Sequence, residues 1–489
     1  MKIIFERLMN TKKLEYILLS IILIFAFLSR LYKIGNPIAD WHSWRQADTA
    51  SVTRTYLEQG INILYPRYHD ISSIQSRIFN PNGYRFVEFP IYNVTHALLV
   101  KYFPTFSLEV WGRLLSIFSS SVSIVILFLI GRKYLGRAGG LLAAFFFAFL
   151  PYNIFFTRVV LPEPMATTFA LIALWLFIKY SESLKNSYFY SSSIFLALAL
   201  LVKPFIIFFA APIFYLAITT EGSLRKIIRT KNLLRKYLLY LALSFIPVIA
   251  WRIWMSKFPE GIPLFEWAFN GDRIRFRPSF WRWIFGERLG KLILGTWGLI
   301  PFIFGVLSKR KKNSFILSFL LGMFLYVLVV ATANVKHDYY QTFIIPAVSL
   351  TLAAGSLVLW KGDGMNKYLS RLTLIFSIFM MLMLGWTQVK DNFSIIHPEI
   401  LEAGAAVDRL TPKDSLIVAP YNGDTAFLYQ TKRWGWPAID DSIDNIIERG
   451  ADYYVSVSLN DSDTKMFKER FKIIEETPSY ILLDLHKRR

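Results

Sequence analysis

The chain has 489 residues, 54% hydrophobic and 17% aromatic, with mean hydropathy +0.40 and a formal net charge of +21. That balance is too apolar for an ordinary soluble domain and describes a polytopic membrane protein. With no cysteine, disulfides, thiolate metal ligands and thiol nucleophiles are excluded. The basic excess raises nucleic acid as a partner, but its distribution along the chain removes that reading.

Taken in order, about eleven apolar stretches are long enough to cross a bilayer as helices. They lie near 16–32, 108–131, 138–156, 164–180, 188–202, 204–219, 237–256, 289–308, 314–333, 340–360 and 369–388. The first is long and lacks a small-residue cleavage site, so it is expected to remain as an anchor. The pair around 188–219 is separated only by Lys203-Pro204, a natural helix interruption. If the N-terminus (Lys2, Arg7, Lys12, Lys13) is cytoplasmic, so are the segments holding Arg132, Lys133 and Arg137, then Lys179 and Lys185. The same holds for Arg225 to Lys236, Lys309 to Lys312, and Lys361 to Arg371. All of these are basic, as the positive-inside rule requires. The expectation is a multi-pass protein of the plasma (inner) membrane, with no nucleic-acid partner.

That orientation places 33–107, 157–163, 257–288, 334–339 and the tail on the outer face. The tail from 391 to 489 has 17 acidic and 12 basic residues, against the strongly basic remainder. Its strand-like runs, from Ser415, Asp452, Phe471 and Tyr480, alternate with helical pieces. We therefore expect a transmembrane domain over 1–390 and a small extracytoplasmic α/β domain over 391–489. Within the first outer loop, WRQADTASVTRTYLEQG is expected to form an amphipathic helix along the membrane surface.

Polar residues concentrate on that outer face. Asp40 to Ala50 reads DWHSWRQADTA, with Asp40, His42, Arg45 and Asp48 directly after the first span. YPRYHD supplies Arg67, His69 and Asp70, and Glu88 stands ahead of Pro90. Arg158 and Glu163 flank the turn TRVVLPEP, Lys203 stands between two apolar runs, and His337, Tyr339 and Tyr340 open a later span. Taken singly, each is an ordinary interfacial anchor. Together, carboxylates beside Arg and Lys suit group transfer from a membrane-bound phosphate donor, with a carboxylate taking a proton and cations holding the departing phosphate.

The first loop, with DWHSWRQADTA, GINILYPR and VEFPIY, resembles that of the GT-C-type membrane glycosyltransferases. More narrowly it is similar to bacterial relatives of protein O-mannosyltransferases and the lipid A aminoarabinose transferase. The Pro162–Pro164 turn, the Lys203-Pro204 break, the HDYY segment and the C-terminal domain fit the same pattern. The resemblance implies an inverting transferase that moves a sugar from a polyprenyl-phosphate donor to an extracytoplasmic acceptor. It assigns Asp40 as catalytic base and Glu163 as second acidic residue. Lys203, Arg158, Arg45, His337, Tyr339 and Tyr340 become donor-phosphate candidates, and His42, Asp48 and Glu88 line the acceptor or sugar pocket. Protein O-mannosyltransferases carry an Asp-Glu pair where this chain has Asp40-Trp41, so the acceptor stays open between lipid, glycan and protein. No cofactor is required on this reading; a divalent cation held by Asp40 and His42, with Asp48 or Glu163, is the alternative. The competing functions are a transporter or flippase of lipid-linked sugar and a non-catalytic scaffold. No internal repeat relates two halves, and transport does not require the long folded first loop.

Overall fold

The computed structural model describes residues 12–271, 273–308, 313–362 and 364–489. It divides into two compact units, one of Met1–Tyr32, Leu114–Ala250 and Phe265–Asp391, the other of Lys33–Arg113, Trp251–Leu264 and Asn392–Arg489. The basic positions Lys2, Arg7 and Lys309 to Lys312, used in the topology argument, lie outside the described residues.

The first unit is a helical bundle. Among the described residues six helices are long and apolar enough to cross a membrane: Leu108–Phe149, Glu163–Ser183, Pro204–Glu221, Lys231–Met255, Asp338–Lys361 and one beginning at Lys367. Shorter apolar helices at Asn186–Val202 and Asn313–Val329 coincide with two further expected spans. The interruptions have local causes. Gly136, at φ 83°, breaks the helix Leu108–Phe149. Pro204 ends Asn186–Val202 and opens a 3-10 turn over Pro204–Phe209. The stretch expected at 289–308 is split, with a wide π-helix over Arg282–Ile293 giving way to Leu299–Val306 through positive-φ residues Gly295 and Thr296.

Ion pairs gather the basic loops at one end of this bundle. Glu15 pairs with Arg132 at 2.7 Å and Arg137 at 3.7 Å, and Lys179 with Glu182 at 3.0 Å. Lys236 donates to the Tyr180 hydroxyl at 2.9 Å, and that hydroxyl donates to Glu221 at 2.8 Å. Glu163 stands at the other end of the 21-residue helix Glu163–Ser183, about 30 Å away at the α-helical rise.

The second unit contains a five-stranded sheet of β1 (Leu416–Val418), β2 (Trp434–Trp436), β3 (Ala451–Ser456), β4 (Phe471–Glu476) and β5 (Ile481–Arg488). The order is β2-β1-β3-β5-β4, with β1 parallel to β2 and β3, and β5 antiparallel to β3 and β4. Val418, Trp436, Ile446, Tyr454, Phe467 and Leu483 form its buried core, joined by Ile71 from the first loop. That loop is structured around helices Ser43–Gln59 and Ile91–Tyr102.

The first of these differs from the expected amphipathic strip. Twelve of its 17 residues are buried, including Arg45, Gln46, Asp48, Thr49 and Thr53. Polar side chains buried all round a helix need partners on every side, and they have them. Thr425 Oγ1 donates to Asp48 at 2.6 Å, Arg54 to the Tyr429 carbonyl at 2.7 Å, and Asn93 to the Thr49 carbonyl at 2.7 Å. The polar pattern of this helix belongs to a protein interior.

Candidate active site

In the second unit Asp40 precedes the helix Ser43–Gln59, whose N-cap His42 holds a left-handed conformation at φ 56°. Asp40 is 1% exposed. Its Oδ1 accepts from Gln46 Nε2 at 2.6 Å, and Oδ2 faces Arg113 Nη2 at 3.6 Å. Gln46, six residues on, is carried beneath Asp40 by the first helical turns. Arg113 is wholly buried and also donates to the carbonyls of Ile34 (2.7 Å) and Asn36, so it fixes the chain leading into Asp40. Sequence reasoning missed Arg113. It stands far along the chain near the start of an apolar run, and only the fold brings it back.

Other predicted residues of this unit are engaged in pairs. Arg45 binds Glu88, and Asp48 binds Arg85 as well as Thr425. Asp70 accepts from the Ser72 amide at 2.8 Å and the Tyr68 hydroxyl at 3.1 Å, and burial pushes its carboxyl up to about 6. Burial also raises Asp424 to about 6 and lowers His96 to about 4.

In the first unit three predicted residues meet. Lys203 Nζ lies 2.8 Å from Glu163 Oε1 and 6.0 Å from the centre of the Tyr340 ring. Glu163 and Lys203 are 1% and 5% exposed. A cation so buried needs this pairing, because an uncompensated charge would be strongly disfavoured. Tyr339 stacks on Tyr340 at 4.3 Å, and His337 sits 6.4 Å from Tyr340. The segment is pinned by Tyr152, whose hydroxyl donates to the Asp338 carbonyl at 2.6 Å, and by Tyr326, which donates to that of Tyr340 at 3.0 Å. Arg158 is fully buried in the turn before Glu163. A cavity of about 360 Å³ opens in the same unit, with an apolar lining that includes Phe285, Leu299, Phe302 and Met323 and polar contributions from Arg288 and Gln341. Arg288, which sequence reasoning also missed, donates to the Val335 carbonyl at 2.7 Å and stands 4.0 Å from Asp338.

A bundle of membrane-crossing helices, buried carboxylate–cation pairs and a small C-terminal sheet together define a polytopic membrane protein, and its fold is that of the GT-C glycosyltransferases. Residues 95–254 match the family described as dolichyl-phosphate-mannose-protein mannosyltransferase. ArnT from Cupriavidus metallidurans bound to undecaprenyl phosphate is 10% identical, with TM-score 0.60, covering 95% of this chain and 97% of its own. The apo form of the same protein gives 12% identity and TM-score 0.61 at the same coverage. The Archaeoglobus fulgidus oligosaccharyltransferase complex with Zn and sulfate is 12% identical, with TM-score 0.57, covering 94% of this chain and 72% of that one. No curated protein sequence matches the chain significantly.

The zinc in the Archaeoglobus protein makes the cation question concrete. Among the described residues no three His, Asp or Glu side chains are gathered as a ligand set. Asp40, the first candidate ligand, is engaged by Gln46 and Arg113.

Proposed function

We propose that this protein is an inverting glycosyltransferase that moves a sugar from a polyprenyl-phosphate donor to an extracytoplasmic acceptor. The observation that carries the proposal is a buried carboxylate, Asp40, held rigidly by Gln46 and Arg113 in a chain with the GT-C fold. A base fixed by its neighbours loses little entropy on reaching the reactive geometry.

In this reading Lys203, oriented by Glu163, binds the donor phosphate, with Arg158 and the His337–Tyr340 segment completing the anion site. The apolar cavity beside Arg288 suits an isoprenoid chain. Arg45, held by Glu88, neighbours Asp40 in sequence and is a further donor-phosphate candidate; His42 and Asp48 border the acceptor. The acceptor hydroxyl attacks the anomeric carbon from the face opposite the phosphate. A new carbon–oxygen bond forms as the bond to the phosphate oxygen breaks, Asp40 takes the hydroxyl proton, and polyprenyl phosphate departs. Undecaprenyl phosphate bound to ArnT supports this choice of lipid. The protein would sit in the plasma membrane with its N-terminus inside and residues 391–489 outside.

The test is transfer from a panel of radiolabelled polyprenyl-phosphate sugars, with membrane extract as acceptor, comparing wild type with Asp40→Asn. Consumption of one donor with labelled product, reduced at least ~10³-fold in the variant, is the expected result. Donor that crosses the membrane unconsumed would favour the flippase, and near-normal turnover by Asp40→Asn would remove Asp40 from the chemistry.

A further inference from the structure

A second cavity, of about 450 Å³, lies wholly within the second unit at the far end of the helix that Asp40 precedes. Thr55, Tyr56 and Gln59 of that helix line it, together with Asn62, Tyr65, Arg67, Tyr84 and Phe258. The helix runs from Ser43 to Gln59 and lines the cavity from Thr55 onward, so at ~1.5 Å per residue the cavity stands roughly 20 Å from the Asp40 end. Its volume falls within the ~300–1,000 Å³ usual for small-ligand sites.

The lining has a definite chemistry. Tyr65 makes ring contacts with Tyr84 at 5.9 Å and Phe258 at 5.5 Å, and is backed by Trp254 at 5.6 Å. The Arg67 guanidinium lies 5.3 Å from the Tyr84 ring centre. Gln59 and Asn62 are exposed at its edge and bring amide donors and acceptors. Among the described residues that line the cavity, Arg67 is the sole cation and none is a carboxylate. Aromatic rings beside neutral amides and one guanidinium match a sugar ring, whose C–H groups pack on aromatics while its hydroxyls exchange hydrogen bonds. A phosphate would call for more positive charge, and an isoprenoid chain would leave these polar groups unmet. Ile61, Ile63 and Leu64, 39–44% exposed, neighbour the polar lining residues in sequence.

We infer that this cavity is a saccharide-binding subsite for an extended acceptor, engaging a sugar remote from the one that reacts. The inference rests on the glycosyltransferase reading only in calling the ligand an acceptor; saccharide binding stands or falls separately. The exposed apolar residues favour a glycan carried on a lipid, and a soluble oligosaccharide offers the same recognition chemistry.

The experiment is saturation-transfer NMR on the full chain in lipid nanodiscs. Maltose, cellobiose and N,N′-diacetylchitobiose are the probes, each also presented as its octyl glycoside, with empty nanodiscs as control. At least one sugar should receive saturation at its ring C–H protons. Its affinity should fall about tenfold or more in Gln59→Trp, which fills the cavity edge, and several-fold in Asn62→Ala, while Asp40→Asn leaves it unchanged. Binding of free and octyl forms alike identifies a glycan; binding of the octyl forms alone, sensitive to Gln59→Trp, identifies a lipid-anchored one. Failure of all three sugars in both forms, or binding indifferent to both cavity variants, would overturn the subsite. Loss of the transfer reaction alone would overturn the enzymatic reading and leave the subsite standing.

Discussion

Arg113 donates to the carbonyls of Ile34 and Asn36 and holds the Asp40 carboxylate as an ion pair at 3.6 Å. Deleting it strands a buried carboxylate, a loss on the order of 3 kcal/mol, so Arg113→Ala should sharply lower the melting temperature. Arg113→Lys keeps the charge and loses the fork. As a positioning residue, Arg113 should then show a fall in kcat of about tenfold or more with KM nearly unchanged, readable in the donor-transfer assay. An equal rise in KM would mean that it touches substrate. Asp70 carries a different expectation. Its folded pKa of about 6 exceeds the ~3.9 of an unfolded chain. The folded state therefore holds the proton more tightly, and this group's contribution to stability falls as pH rises from about 4 to 6. Asp70→Asn keeps an oxygen acceptor and cannot ionise. Relative to wild type it should gain on the order of 2 kcal/mol between pH 4.5 and pH 7; a melting-temperature difference that is constant across that range would refute the sign. Asp40 and Lys203 were legible as polar residues at the ends of apolar runs. Arg113 and Arg288 were not, since a cation near an apolar run reads as an anchor until the fold shows what it binds.

The helices of the first unit meet at glycines. A Cβ on Gly355 would stand 1.7 Å from the Pro301 carbonyl oxygen, and one on Gly305 would stand 2.0 Å from that of Thr351. The helices Leu299–Val306 and Ile345–Lys361 thus cross at backbone contact, as small residues permit in membranes. In an exposed helix Gly→Ala stabilises by up to ~1 kcal/mol. Here the sign should reverse: Gly355→Ala should lose at least ~2 kcal/mol through forced separation, seen as a lower melting temperature and less monodisperse protein on size exclusion. A rise in melting temperature would show that the crossing is looser. This element was only half legible. Hydropathy located the apolar stretch at 289–308, because transfer energy depends on composition, but not the π-helix Arg282–Ile293 that runs into its first residues. In the sheet, four strands followed from their β-rich runs, whereas β2 is Trp434–Trp436, whose central glycine and lack of β-branched residues give no strand signal. Its Gly435, at φ 157°, accepts from the Ile71 amide and donates to the His69 carbonyl, a pairing across the chain that local pattern does not encode.

Across the whole molecule, charge and contacts bear on one question, the direction of insertion. Arg132, Arg137, Lys179 and Lys236 meet Glu15, Glu182 and the Tyr180–Glu221 pair at one end of the first unit. Glu163, Lys203 and Tyr340 meet at the other. Cations held in a shared network at one end are what a positive-inside topology needs. The acidic balance of residues 391–489, 17 acidic against 12 basic, is compatible with export. Because the chain has no cysteine, single substitutions report the topology without background. Lys226 and Lys465 are both exposed, the first in a basic loop and the second on the short helix Ser462–Arg470. In intact cells, or spheroplasts if an outer membrane is present, Lys465→Cys should react with a membrane-impermeant maleimide. Lys226→Cys should react only after permeabilisation. The reverse pattern would invert the insertion, placing the Glu163–Lys203 pair on the cytoplasmic side and requiring a donor presented there. Labelling of both in intact cells would mean that the basic loops do not share a compartment-facing end, against the ion-pair network that joins them.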